Sequence, residues 1–310
     1  MKIITLTLNP AFDVHCTANG FLPYHESIVQ ITSREAGGKG VNISRALTAA
    51  GRKSTAVVIV GKENGDEFCR MLERDALSFV PILQDGRIRE NLTLHEDHNP
   101  ETRISFGGFA LTDAALCELE HLIGAIGTDT VVTFTGSIPS GTNARPLLSM
   151  LQTAKKKGAK IVIDSRSVTL SEILDFKPWL IKPNRDEIEA YIGKSVETTE
   201  DAVQIAKTLC ASGIENVMIS LGKNGAVLAT SEDCFYAKAP TIDVISTIGA
   251  GDSMIAGFID AICEGLSPQA CLTRAVAFGT AACLRNGTKP PIPTEIEAFE
   301  NQIISEKINL

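Results

Sequence analysis

Compact apolar runs alternate along this chain with longer stretches in which apolar residues return every third or fourth position. The runs KIITLTL (2–8), TAVVIV (55–60), TVVTF (130–134), KIVID (160–164) and VMISL (217–221) have the length and branched side chains of strands covered on both faces, as in a parallel sheet. The stretches 41–51, 64–76, 112–126, 143–157, 184–192 and 200–212 have helical spacing, and several stop at a glycine: Gly51, Gly127, Gly158, Gly193 and Gly213. Strand then helix, repeated, predicts an α/β fold with an open, doubly wound, mostly parallel sheet flanked by helices. Two stretches break the rhythm. Residues 11–35 and 86–108 lack a helical period, and IRENLTLHEDHNPETRISF reads as two alternating strands around a polar turn at HEDHNP. Both are expected to form a small β appendage beside a large domain made of 1–10, 36–85 and 109–310. After residue 249 the chain turns helical through MIAGFIDAICEG and SPQACLTRAVAFGTAACL, the latter with Ser267 as N-cap and Pro268 in its first turn.

The length of 310 residues fits this division, exceeding one ordinary domain of ~100–200 residues. A formal charge of −8 and 5% aromatic residues disfavour a nucleic-acid partner, since the surface repels polyanions and offers few stacking platforms. The longest basic run, Lys155–Lys157, sits where cations complement a helix end before Gly158. Eight cysteines show no paired spacing and read as reduced and mostly buried. Asn9-Pro10 ends the first apolar stretch too early for a signal peptide, and no window reaches the ~18 apolar residues of a membrane span. A cytoplasmic location is expected.

Candidate chemistry lies in two glycine turns. In STIGAGDSMIAGF (246–258), a β-like segment Thr241–Ser246 leads into Gly249-Ala250-Gly251, with a helix beginning near Asp252. Unpaired amides at a helix start form an anion site without any lysine, and glycines let the backbone approach the ligand closely. Beside a phosphoryl group in transfer, Asp252 could take the proton of an attacking hydroxyl. The plainer reading of this stretch alone is an acid that merely favours a helix start. A dinucleotide fingerprint fails because position 254 is methionine, and no P-loop or protein-kinase set is present. The second turn, AGGKGVNIS (36–44), adds Lys39 as a point charge and Asn42 as an amide at the first helical turn. His95 and His98 read as decoration of a hairpin turn, and Trp179 as core.

GGKGVN, KPNRDE (182–187), SLGKNG (220–225) and TIGAGDSMIAGF stand in the order and approximate spacing of the PfkB, or ribokinase-like, carbohydrate kinases, which the chain resembles over nearly its whole length. TLTLNPAFD and STIGAGDS look most like the branch that phosphorylates sugars already carrying a phosphate, 1-phosphofructokinase and tagatose-6-phosphate kinase. The resemblance implies ATP and Mg²⁺, with Asp252 as base and Gly249, Ala250 and Gly251 as anion hole. Asn184 and Glu187 match an N-x-x-E element that places Mg²⁺ through water, although Glu187 alone would read as a first-turn helix acid. Ser220 and Gly222, with Gly225 and Thr247, resemble nucleotide-binding positions. Asp13 would hold sugar hydroxyls, and Gly38, Lys39 and Asn42 would line the sugar-phosphate pocket above the loop GSIPSG (136–141). Arg89 would grip the sugar's phosphate, since a guanidinium fork holds two oxygens; Arg103 reads as an exposed strand arginine. The appendage becomes a lid that excludes water, and its strand edge could pair with a second copy as a homodimer.

Two residues depart from the pattern. Ser246 stands where many members carry an acid that helps bind a monovalent cation, which counts against potassium activation. Glu90 interrupts the branch's usual Thr-Arg-Ile-Asn, although alternation would point it away from Arg89. Fructose 1-phosphate is the expected acceptor. The alternatives are tagatose 6-phosphate, an unphosphorylated sugar or nucleoside, and a binding regulator without turnover.

Overall fold

The computed structural model describes residues 1–18, 20–22, 24–96 and 101–308. Its strands are β1 Lys2–Thr7, β2 Ala11–Ala18, β3 Val29–Gly37, β4 Thr55–Gly61, β5 Ser78–Gln84, β6 Arg89–His95, β7 Thr102–Ser105, β8 Thr130–Thr135, β9 Lys160–Asp164, β10 Leu180–Ile181, β11 Asn216–Ser220, β12 Ala226–Thr230, β13 Cys234–Ala237 and β14 Ser305–Lys307. Its helices are α1 Lys39–Ala49, α2 Gly65–Arg74, α3 Asp113–Gly124, α4 Ala144–Lys156, α5 Leu170–Phe176, α6 Arg185–Ile192, α7 Thr199–Ala211, α8 Ala250–Cys263, α9 Pro268–Ala282 and α10 Pro293–Glu300.

The main sheet runs β14-β13-β12-β11-β10-β9-β8-β1-β4-β5. From β11 to β5 every pairing is parallel, and β12, β13 and β14 continue it antiparallel. The sequence therefore predicts the doubly wound sheet correctly. Both faces are covered: one apolar cluster gathers α3, α4, α5 and α7, and another gathers α1, α8 and α9. This double cover explains why the parallel strands read as unbroken apolar runs. Because β1 lies between β8 and β4, the order reverses there, and such a switch opens a crevice beyond the strands' carboxyl ends.

A second, four-stranded sheet runs β3-β2-β6-β7, with β2 parallel to β6 and the other pairs antiparallel. Its apolar face is no free flap. Phe12, Val14, Cys16 and Leu94 share one core cluster with Val58, Phe68 and Leu72 of β4 and α2. Phe12 meets Phe68 edge-on at 5.4 Å between ring centroids. Arg34 stacks over Phe12 and bridges Glu67 of α2 to Glu90 of β6. The alternating polar face, with Asp13, His15, Asn91 and Thr93, points to the other side and is buried. His95 stacks on His15, while His98 and most of the HEDHNP turn lie outside the described residues.

One local expectation fails. Thr241–Ser246 is not a strand, because Ile245 and Ser246 turn their amides to the carbonyl of Cys283 at the end of α9 instead of to a neighbouring strand. All eight cysteines are free; Cys16, Cys210, Cys234 and Cys271 are buried, and Cys117 is exposed. Trp179 is buried against Phe258.

Candidate active site

Helix α8 starts at Ala250, two residues earlier than expected, because Gly249 adopts φ 79° and turns the chain into it. A side chain other than glycine rarely takes that conformation. The Ala250 amide is spent on Thr247 O at 3.3 Å, and no side chain caps the helix. The open amides are thus those of Gly251 and Asp252. A Cβ at Gly251 would stand only 3.0 Å from Lys182 Nζ, so the bare residue lets a lysine reach the helix start.

Asp252 is 6% exposed, and its Oδ2 accepts from Asn42 Nδ2 at 2.9 Å. Burial pushes its carboxyl up to about 6, against the opposing pull of Lys39, Asn42 and Lys182. A carboxylate tuned there is a serviceable base near neutral pH. Lys39, on α1, donates to Asp164 Oδ2 at 2.9 Å, and Lys182 Nζ lies 3.9 Å from the same oxygen. Asp164, though burial works against its charge, is held below the ordinary carboxylate value by Lys182 and Lys39. Lys39, which burial alone would lower, is held above the ordinary lysine value by Asp164 and Asp252. Two cations share two buried acids, one of which is the candidate base. Asp164 and Lys182 were not singled out in the sequence, although each closes an apolar run at a strand's carboxyl end.

On the small sheet, Asp13 is buried, with Oδ1 accepting from Asn91 Nδ2 at 2.8 Å. A Cβ at Gly37 would overlap that carboxylate, so the glycine before Gly38 leaves room for it. Arg103 is not simply an exposed strand arginine: its Nη2 comes within 3.6 Å of Asp13 Oδ1. Arg89 donates only to main-chain oxygens, Phe106 O at 3.2 Å and Asn9 O at 3.4 Å, and no carboxylate among the described residues pairs with it. Burial lowers its proton affinity, Asp13 opposes this and Arg103 adds to it. Two neighbouring guanidinium groups with one carboxylate between them leave positive charge unspent. Glu90 does not cancel it, because alternation along β6 sends Glu90 to Arg34 at 2.7 Å.

Asn184 and Glu187 form a reciprocal capping box at the start of α6, with Glu187 N to Asn184 Oδ1 at 2.8 Å and Asn184 N to Glu187 Oε2 at 3.0 Å. The first-turn helix acid is therefore a true description of Glu187, which also accepts from Arg166 Nε at 2.8 Å. Ser220 ends β11 and bridges to Asn184, while Gly222 and Thr247 are exposed and Gly225 is buried. No side-chain hydrogen bond ties Ser220 or Thr247 to Asp252, whose carboxylate accepts from Asn42. Ser246 is buried, and its hydroxyl accepts from Ile248 N at 3.3 Å.

A buried carboxylate at a helix start with open amides, and two lysines beside it, suits the passage of a phosphoryl group to an alcohol; the protein is a phosphotransferase. Its chain belongs to the pfkB family carbohydrate kinases, whose family model matches residues 11–295. It is 30% identical over 303 residues to 1-phosphofructokinase of Vibrio cholerae, covering 97% of this chain and 96% of that one. To 1-phosphofructokinase of Escherichia coli K12 it is 32% identical over 289 residues, covering 91% and 90%. Among solved structures, phosphofructokinase-2 of Escherichia coli in complex with substrates and products superposes with a TM-score of 0.92 at 28% identity, covering 97% of this chain and 99% of that one. The protein is a sugar kinase, and among the described residues no helix is long and apolar enough to cross a membrane.

Proposed function

We propose that the protein transfers the γ-phosphoryl group of ATP to the free primary hydroxyl of fructose 1-phosphate, giving fructose 1,6-bisphosphate. The observation that carries this reading is the buried Asp252–Asn42 pair beneath the open start of α8. Asp252 takes the proton of the C6 hydroxyl as that oxygen bonds to the γ-phosphorus; the bond from phosphorus to the β,γ-bridging oxygen breaks, and its electron pair leaves on ADP. The amides of Gly251 and Asp252, with Gly249 and Ala250 shaping the turn, and the ammonium groups of Lys39 and Lys182, offset charge on the group in transfer. Asp13 and Asn42 orient sugar hydroxyls beside Gly38, and Arg89 with Arg103 holds the phosphate already on the sugar. The unspent positive charge of that guanidinium pair supports an anionic acceptor. Ser220, Gly222, Gly225 and Thr247 line the nucleotide's side.

Mg²⁺ fits this site through water. The side-chain oxygens of Asn184 and Glu187 already serve the capping box, and among the described residues no cluster of three acids, histidines or cysteines forms a cage. A hard ion that keeps most of its waters asks for little more than the nucleotide's phosphates and such outer contacts. It would screen charge on those phosphates.

The relatives called 1-phosphofructokinase support fructose 1-phosphate. The likeness to phosphofructokinase-2, solved in complex with fructose-6-phosphate, favours a second reading, a ketohexose 6-phosphate attacked at C1. ADP release measured with ATP, Mg²⁺ and, in turn, fructose 1-phosphate, fructose 6-phosphate, tagatose 6-phosphate and fructose separates them. Fructose 1-phosphate is expected to give the highest kcat/KM; a higher value for a 6-phosphate installs the second reading, and turnover of none removes both.

We also infer that the small sheet works as a lid and pairs with a second copy of the chain. Its edge strands β3 and β7 carry Ile31, 66% exposed, and Ile104, 37% exposed, and Phe106 beside them is 51% exposed. An apolar surface at two open strand edges is better covered than wet.

A further inference from the structure

Asn42 can turn either end of its amide towards Asp252, and only one end helps. With Nδ2 inward it donates to the carboxylate; with Oδ1 inward, two acceptors would face each other. The structure has Nδ2 inward, and the reason lies one helical turn further along α1. Arg45 Nη1 donates to Asn42 Oδ1 at 3.2 Å. A guanidinium has no acceptor, so it selects the oxygen end of the amide and leaves the nitrogen end for Asp252. Arg45 is itself 6% exposed and fixed on two further sides: Nη2 donates to Ala36 O at 2.6 Å at the end of β3, and Nε donates to Asp75 Oδ2 at 2.9 Å at the close of α2. Burying an arginine is costly, and this one spends its donors on an amide, a main-chain oxygen and a single acid.

We propose that Arg45 is a positioning residue for phosphoryl transfer, holding Asn42 in the orientation that steadies the catalytic form of Asp252. The proposal rests on Asp252 being the base. The other charged groups that face Asp252 are Lys39 of α1, Asp164 of β9 and Lys182 beyond β10, and none of them touches Arg45. Losing the amide donor disfavours the ionised carboxylate, so the base should need a higher pH to work.

The kcat–pH profile of Arg45→Met should show its acid limb displaced upward by about half to one pH unit, with the KM for ATP unchanged. Arg45→Lys, which keeps a buried cation and one donor, should fall between it and the unaltered enzyme. In an Asn42→Ala background, Arg45→Lys should move the limb no further, because its route of action is gone. Should Arg45→Met fail to fold, Arg45→Lys and the cycle with Asn42→Ala decide alone. Labelling aspartate carboxyl carbons, with Asp252→Asn to assign the signal, reads the same displacement by NMR without turnover. An unmoved limb and carbon titration in the folded Arg45 variants overturn the proposal, as does an undiminished shift in the Asn42→Ala background. Absence of turnover in the unaltered enzyme would instead strike the kinase reading, and the carbon titration would still decide the role of Arg45.

Discussion

In the role proposed for it, Asp252 combines two properties that oppose each other in water: it is buried, and as a base it has to be ionised. Its carboxyl at about 6 sets the sign of the pH dependence. Turnover should be full above that value and be lost as pH falls through it, because protonation removes the base. Asp252→Asn should lower kcat by about 10²–10⁴-fold and abolish this acid limb, while nucleotide affinity measured by calorimetry stays close to normal. An Asn variant with undiminished kcat would exclude Asp252 from the chemistry. Arg89→Ala should raise the KM for the sugar phosphate by about 10–100-fold, the loss expected for hydrogen bonds to a charged group, and leave the KM for ATP nearly unchanged. Initial rates with each substrate varied in turn test this. The acid and the glycine turn around residue 252 were legible because amides and acid are adjacent in sequence. Asp164 and Lys182 carried a weaker signal, a charge closing an apolar strand, and Arg45 none, since an arginine at helical spacing normally faces solvent.

Among the elements, the parallel strands and eight helices were legible because two covered faces force continuous apolar runs and helices with an apolar period. The exceptions have physical causes. β5 contains Pro81, which an edge strand tolerates at the end of the sheet. β12, β13 and β14 extend the sheet by short antiparallel pairings, whose partners along the chain are set by contact and not by period. The segment 241–246 looked β-like from its composition, but no neighbouring strand is placed to receive it. The small sheet's grip on α2 gives a prediction of its own. Phe12 is fully buried between Phe68 and Arg34, so Phe12→Ala should cost about 3–5 kcal/mol. Thermal unfolding should register it as a clear loss in Tm, and hydrogen exchange should rise first in residues 11–18 and 29–37; exchange confined to other segments would contradict the docking described.

For the molecule as a whole, the lid pairing is a statement about mass. Light scattering after gel filtration should return twice the 33.1 kDa of one chain, and Ile31→Glu combined with Ile104→Glu should return one chain with its fold intact by circular dichroism. A monomer before substitution would refute pairing. The position of β1 at the interior of the main sheet has a separate outcome during synthesis. Of the parallel strands β1 is made before the others, so it can act as the seed: β4 and β5 extend it in one direction, then β8, β9, β10 and β11 extend it in the other in their order of translation. Each newcomer then finds its docking edge already built, so the main sheet need not be prised open to admit a later segment, and the candidate site, with Asp252 on α8, is completed only once most of the framework has set.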